Sequence, residues 1–364
     1  MSNETTRQMM EAYIEGNSVT RFFSSQFQSP RRNFHNSESI EFDIVRGQEE
    51  ISVVIQDLST GYRDNSTDIY TNKSFIPPIH KEKVTLNAFN LLKRMPGNDP
   101  FQDPGFRAAL IEQATIGFAR IQDKIRRAIE EQASQVMQTG TAILIDSNGV
   151  ALYSIDYKPK ATHFPTTSNA WSGGSATIAA DIASLGAVVR SDGLADPDQL
   201  IMGNKAFDAF ITDTDIQLRY DNRRINQGDI VPMQVKDTGA QFRGTVELEH
   251  YKYDIFTYGG KFTKPDTGAS TFYMDPAKCI VRASSGRMDA TFGAIPNFNN
   301  MLDGGTQLVP ELPSRLTNVE GGLDLFTNIW KSVDGEQLFA GVGARPLMIP
   351  TAIDTFGCID TLST

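Results

Sequence analysis

Apolar residues recur at every third or fourth position along one stretch: Leu110, Ala114, Phe118, Ile121, Ile125, Ile129, Ala133 and Val136. That spacing puts them on a single stripe of an α-helix. Asp103 suits an N-cap and Pro104 the first helical position, where its missing N–H costs nothing. Gly140 is placed to end the helix. The pattern predicts a helix over 104–139, roughly 35 residues and about 50 Å long, or about three times an average globular helix. Arg107, Glu112, Arg120, Lys124, Arg127, Glu130 and Glu131 fall on the opposite face, and interleaved charge of this kind is read as a solvated face.

Elsewhere the period is mostly two. ESIEFDIVRG (38–47) alternates as a strand, with Ile40, Phe42 and Ile44 on one face, and ISVVIQDL (51–58) is a second β-rich run. The polar stretch 59–74 has too little aliphatic content to bury a face, so it is expected to project as a loop or long hairpin. Residues 74–88 return extended, because Pro77 and Pro78 forbid a helix. After the long helix, 141–157 reads as a hairpin around Asn148-Gly149. A helix is expected from about Ser175 to Val189, closed by Gly193. A strand running into a helix N-capped by Asn204 follows over 196–213. Residues 214–243 read as irregular and charged. Alternating strands are expected at 244–262 and 270–285, and again within 322–362. The chain is therefore α+β.

Composition narrows the function. A net charge of −10 argues against a general nucleic-acid binder, which carries a basic face. No window approaches a membrane span. The polar start MSNETTRQMMEAYIEGNS lacks the apolar core of a signal peptide, so the chain is expected to stay in the cytoplasm where it is made. Cys279 and Cys358 stand far apart in apolar contexts and are read as free buried thiols.

Catalytic patterns are lacking. His35, His80, His163 and His250 have no partner at metal-ligand spacing. GVGARP (341–346) lacks the third glycine and the following helix of a dinucleotide site. In DNSTD (64–68) a calcium loop fails at Ile69 and Phe75, where glycine and glutamate are needed. No catalytic, cofactor-binding or metal residue is assigned. A projecting loop and a polar, extended N-terminal arm favour a protein whose function is contact.

Taken in order, the segments resemble the lambda-type capsid protein E family of tailed-bacteriophage major capsid proteins. SIEFDIV with FIPPIHKEKVTLNA resembles the family's extended loop and its returning strand. DPGFRAALIEQ…IEEQASQVMQTGTAIL resembles the long spine helix. SIDYKPKATHF, NAWSGGSATIAADI, DQLIMGNKAFDAF, HYKYDIFTYGGKF with MDPAKCIV, and ARPLMIPTAIDTF match later segments in the right order.

This resemblance implies the Johnson fold of the Hong Kong 97 type. The N-terminal arm is expected at 1–36 and the extended loop at 37–84. The peripheral domain is placed at 85–173, the axial domain at 174–320, and the C-terminal strands, 321–364, return to the peripheral domain. It further implies a subunit that assembles into hexamers and pentamers of an icosahedral shell around double-stranded DNA. The expected partners are a separate scaffolding protein, a portal protein and, in some shells, a cement or decoration protein, with no membrane and no cofactor. An encapsulin-like compartment is the alternative within the same fold.

Overall fold

The computed structural model describes residues 21–30, 39–45, 70–87, 105–146, 148–221, 239–293, 295, 325–332 and 337–362. In chain order, β1 (Ile40–Val45), β2 (Tyr70–Phe75) and β3 (His80–Asn87) precede the long helix α1 (Gly105–Thr139). The hairpin β4 (Thr141–Ile145) and β5 (Ala151–Asp156) leads to α2 (Ile178–Gly193), β6 (Gln199–Met202), α3 (Asn204–Thr212) and α4 (Thr214–Asp221). Then come β7 (Ala240–Leu248), β8 (Tyr251–Tyr258), β9 (Lys261–Thr263), β10 (Ser270–Phe272), β11 (Lys278–Arg282) and β12 (Asp289–Phe292). The last strands are β13 (Phe326–Lys331), β14 (Gln337–Ala344), β15 (Pro346–Ile349) and β16 (Phe356–Asp360).

The core is layered about one sheet of order β16-β11-β6-β8-β7, in which only β6 and β8 run parallel. Leu200, Met202, Cys279, Val281 and Ile359 face α2 and α3, while Ile201, Ile280 and Cys358 face the cluster that contains α1. Both faces are covered, which is why QLIM and KCIVR read as near-continuous apolar runs rather than as alternation. The two cysteines lie on adjacent strands but on opposite faces of this sheet, and both are free. Burial pushes both thiols up, Cys358 to about 12.

Helix α1 packs against β3, β14, β15, β16 and β11, so it joins the central sheet to a second sheet of order β13-β14-β3. From Ala114 to Val136 every stripe position is buried, as the period requires. The helix ends where Gly140, at φ +66°, donates its N–H to the Val136 carbonyl at 2.8 Å. A Cβ there would meet Pro159 Cγ at 2.4 Å, so glycine is needed for space as well as for its left-handed backbone. Asp103 and Pro104 lie outside the described residues, as do residues 51–58.

Several expectations change in detail. β2 forms the last part of the stretch expected to project, pairing antiparallel with β1 from Ile40↔Phe75 to Val45↔Tyr70. Its polar side chains gave no alternation to read. α2 starts at Ile178 and runs through Gly193, three residues later at one end and four at the other. Gly193 fits inside it because a Cβ there would meet the Asp354 carbonyl at 2.5 Å, and the left-handed residue is Leu194. The N-cap of α3 is Gly203, not Asn204. Residues 214–221, expected to be irregular, form α4, with Asp213 Oδ1 accepting from the Ile216 N–H at 3.0 Å. The C-terminal strands divide: β13 and β14 line up beside β3, whereas β16 joins the central sheet.

Candidate assembly surfaces

Residues 21–28 lie against the body of the protein. Phe22, Phe23 and Phe27 are buried, and Phe22 and Phe23 pack on Tyr258 with ring centroids 5.4 and 5.5 Å away. A 3-10 turn at Ser24–Gln26 points its free N–H groups at Glu130 of α1. Phe23 N–H donates to Glu130 Oε1 at 2.7 Å and Ser24 N–H to Oε2 at 2.8 Å. Arg282 donates to the Gln26 side chain. Gln28 adds beside β12, donating to the Met288 carbonyl and accepting from Ala290 N–H, both at 2.8 Å.

Glu130 therefore does not lie on a solvated face: it is fully buried. Burial raises its carboxyl above the ordinary value, and hydrogen bonds from Ser24, Phe23 and Tyr258 oppose that rise. The solvated-face reading holds for Arg120, Lys124 and Arg127, which are exposed. Lys124 Nζ pairs with Glu82 Oε2 of β3 at 2.9 Å. The C-terminal part of α1 is buried nearly all round, and Ser134 and Gln138 both donate to the Tyr273 carbonyl at 2.6 and 2.8 Å.

The link between β2 and β3 is Ile76-Pro77-Pro78-Ile79. Its prolines are buried, and Arg345, itself buried, donates from Nε to the Pro77 carbonyl at 3.0 Å. Ile76 and Ile79 remain half exposed. The β4–β5 hairpin is more exposed still, with Ile143, Val150, Leu152 and Tyr153 all open to solvent.

Three of the four histidines, His80, His163 and His250, lie among the described residues. His163 is buried, with Nδ1 2.8 Å from the Phe356 carbonyl and Nε2 3.1 Å from Asp192 Oδ2. The Lys160 ammonium beside Asp192, at 2.8 Å, and then His163 hold that carboxyl below its usual range. His80 sits in β3, lowered by burial against the opposing pull of Glu82. His250 is exposed in the turn after β7, and His35 lies outside the described residues. Among the described residues no group of three or more His, Cys, Asp or Glu could hold a metal ion, and no helix is long and apolar enough to cross a membrane. A cleft of about 480 Å³ opens beside Trp171, Lys205 and Asp213. Trp171 itself is buried and donates Nε1–H to Asp181 Oδ2 at 2.9 Å, which gives it a structural role.

Residues 5–357 match the phage major capsid protein E family. No match was found among curated proteins. Among solved structures, the capsid protein of a prophage of E. coli CFT073 is similar over 98% of each chain, at 17% identity and a TM-score of 0.63. A phage-related protein from Bordetella bronchiseptica RB50 matches 98% of this chain and 97% of its own, at 10% identity and a TM-score of 0.52. The capsid of Ralstonia phage GP4 matches 96% of this chain and 88% of its own, at 13% identity and a TM-score of 0.50. The fold is thus the Hong Kong 97-like capsid fold.

Proposed function

The chain belongs to the phage major capsid protein E family, and from that membership we propose that it builds an icosahedral head of hexamers and pentamers around packaged double-stranded DNA. That it is a capsid shell protein rests on one observation, the family match running from residue 5 to 357 on a chain with the capsid fold. The surfaces described above are those of a protein that works by contact: a clasped arm, a proline-stiffened link and an exposed hairpin. The acidic balance of −10 supports a shell that encloses DNA without gripping it. A separate scaffolding protein, a portal protein and, in some shells, a cement protein complete the expected assembly, which would form in the cytoplasm of a host bacterium.

The domain reading is carried forward on the same footing. Residues 37–84 form the extended loop, α1 the spine of the peripheral domain, and the central sheet with α2 and α3 the body of the axial domain. Expression of the full chain with its scaffolding partner, followed by electron microscopy, tests the proposal. Closed shells with six-fold and five-fold capsomers are the expected result. A subunit that stays monomeric at every concentration, or particles filled with protein cargo in place of DNA after infection, would overturn it.

A further inference from the structure

We propose that the β4–β5 hairpin is a docking surface for a second copy of this chain, seated against the neighbour's Ile76–Lys83 segment. The proposal rests on the capsid reading and names the residues through which subunits meet. The hairpin exposes Ile143 (47%), Val150 (58%), Leu152 (63%) and Tyr153 (38%), almost half of the large apolar side chains exposed among the described residues. Four consecutive positions of β5, Ala151 to Ser154, are exposed, so neither face of its outer half is covered by its own chain. A concentration of this kind marks an interaction site, whereas scattered single exposures do not.

The hairpin is also held rigid. Its base is anchored by buried Ala142 and Ile155, by Ile143 N–H donating to Gln135 Oε1 at 2.8 Å, and by Tyr157 OH donating to the Met348 carbonyl at 2.6 Å. Its turn is fixed by Asp146 Oδ1, which accepts from Asn148 and Val150 N–H at 2.8 and 2.9 Å. A surface fixed in this way loses little conformational freedom on binding. It cannot fold back to cover itself.

Charge identifies the occupant. Asp146 and Asp156 flank the apolar residues, and Asp266 stands beside the turn at Gly149. Among the described residues, Asp156 pairs with Lys158 at 3.4 Å. On a chain of net charge −10, an acidic rim is best matched by a basic patch of the neighbour. The Ile76–Lys83 segment offers the opposite character: Ile76 (51%) and Ile79 (48%) exposed, then Lys81 and Lys83 exposed. Glu82, between the lysines, is taken by Lys124. Apolar centre meets apolar centre, and acidic rim meets basic rim. Because the two patches differ, the contact is head-to-tail, the kind that forms a ring when the rotation between subunits closes.

Disulfide trapping tests this directly, since Cys279 and Cys358 are buried. Chains carrying Leu152→Cys and chains carrying Ile79→Cys are co-assembled with the scaffolding partner and oxidised. Cross-linked dimers are expected from the mixture and from neither variant alone. Leu152→Asp is expected to lower shell yield at least tenfold while leaving the thermal unfolding of the subunit unchanged. Wild-type shells with no cross-link in the mixture, a cross-link from Leu152→Cys alone, or normal shells from Leu152→Asp would each overturn the pairing and leave the capsid reading standing. Failure of the wild-type chain to form shells would overturn both.

Discussion

Glu130 carries two roles that no pattern of neighbouring residues announces. In sequence it is one of several charges opposite an apolar stripe, and on period alone it belongs in water. Its oxygens instead accept the Phe23 and Ser24 N–H groups at the start of a 3-10 turn. Glu130→Ala leaves the buried Phe23 N–H without a partner, at about 1–3 kcal/mol, and the partly buried Ser24 N–H at less. The expected readout is faster tryptic cleavage after Arg21, measured against an unchanged rate elsewhere in the chain; protection equal to wild type would mean that the aromatic contacts alone hold the arm. A pH dependence follows from the same group. Burial raises the Glu130 carboxyl above its ordinary 4.5, so the native state keeps the proton to higher pH than the unfolded chain does. The associated stability is full below that ordinary value and is lost as pH rises through the raised one. Glu130→Gln removes the titration, so its unfolding temperature should fall less than that of wild type as pH climbs from about 4.5 toward neutrality. Parallel curves for the two proteins would show that other groups set the pH profile.

Helix α1 separates what sequence can show from what it cannot. Its stripe was legible because burial on one side of a helix imposes a 3.6-residue period, and Phe118, Ile121 and Ile125 are all buried. Phe118→Ala should cost about 3–5 kcal/mol through lost transfer energy and a residual cavity. Lys124→Ala removes only an exposed pair with Glu82, worth under about 1 kcal/mol. Thermal unfolding of both variants compares the two faces, and a harmless Phe118→Ala would contradict the role of α1 as a packed spine. The hairpin at Asn148-Gly149 and the helix from Ile178 were legible for similar local reasons. α4 was not, since its eight residues carry apolar side chains at Ile216, Leu218 and Tyr220, a spacing of two that shows no helical period. Its one available sign was Asp213 three residues before Ile216, a side-chain cap. β16 was legible as a strand but not as a member of the central sheet, because its pairing with β11 is set by residues almost eighty positions away. The exposed hairpin was missed as a surface for a related reason: Ile143 and Leu152 look like core residues until the fold shows that nothing covers them.

At the scale of the molecule, two apolar clusters lie on either side of one sheet, and α1 ties that sheet to the β13-β14-β3 sheet. Such a body can be stable while its outermost segments contribute little to it. Residues 46–69 carry many polar side chains in STGYRDNSTDI and have few aliphatic groups after Leu58 to offer a core. β1 and β2 on either side pair with each other, and Ile40 at their base is buried with the main cluster. On the proposed extended-loop placement, replacing 46–69 by a short Gly-Ser linker keeps that base and removes contact area from the loop. Closing the shorter loop also costs slightly less entropy than closing the native one. On that placement the subunit should unfold within about 0.5 kcal/mol of wild type. Shell assembly is a different matter, because a thin shell gathers its stability from many modest contacts per subunit, and an extended loop of the kind proposed above would supply contact area at a distance. Loss of that reach should abolish closed particles in electron micrographs while leaving a soluble, folded subunit by circular dichroism. Normal shells from the shortened chain would place the extended loop somewhere other than 37–84, and an unfolded subunit would show that the segment belongs to the core.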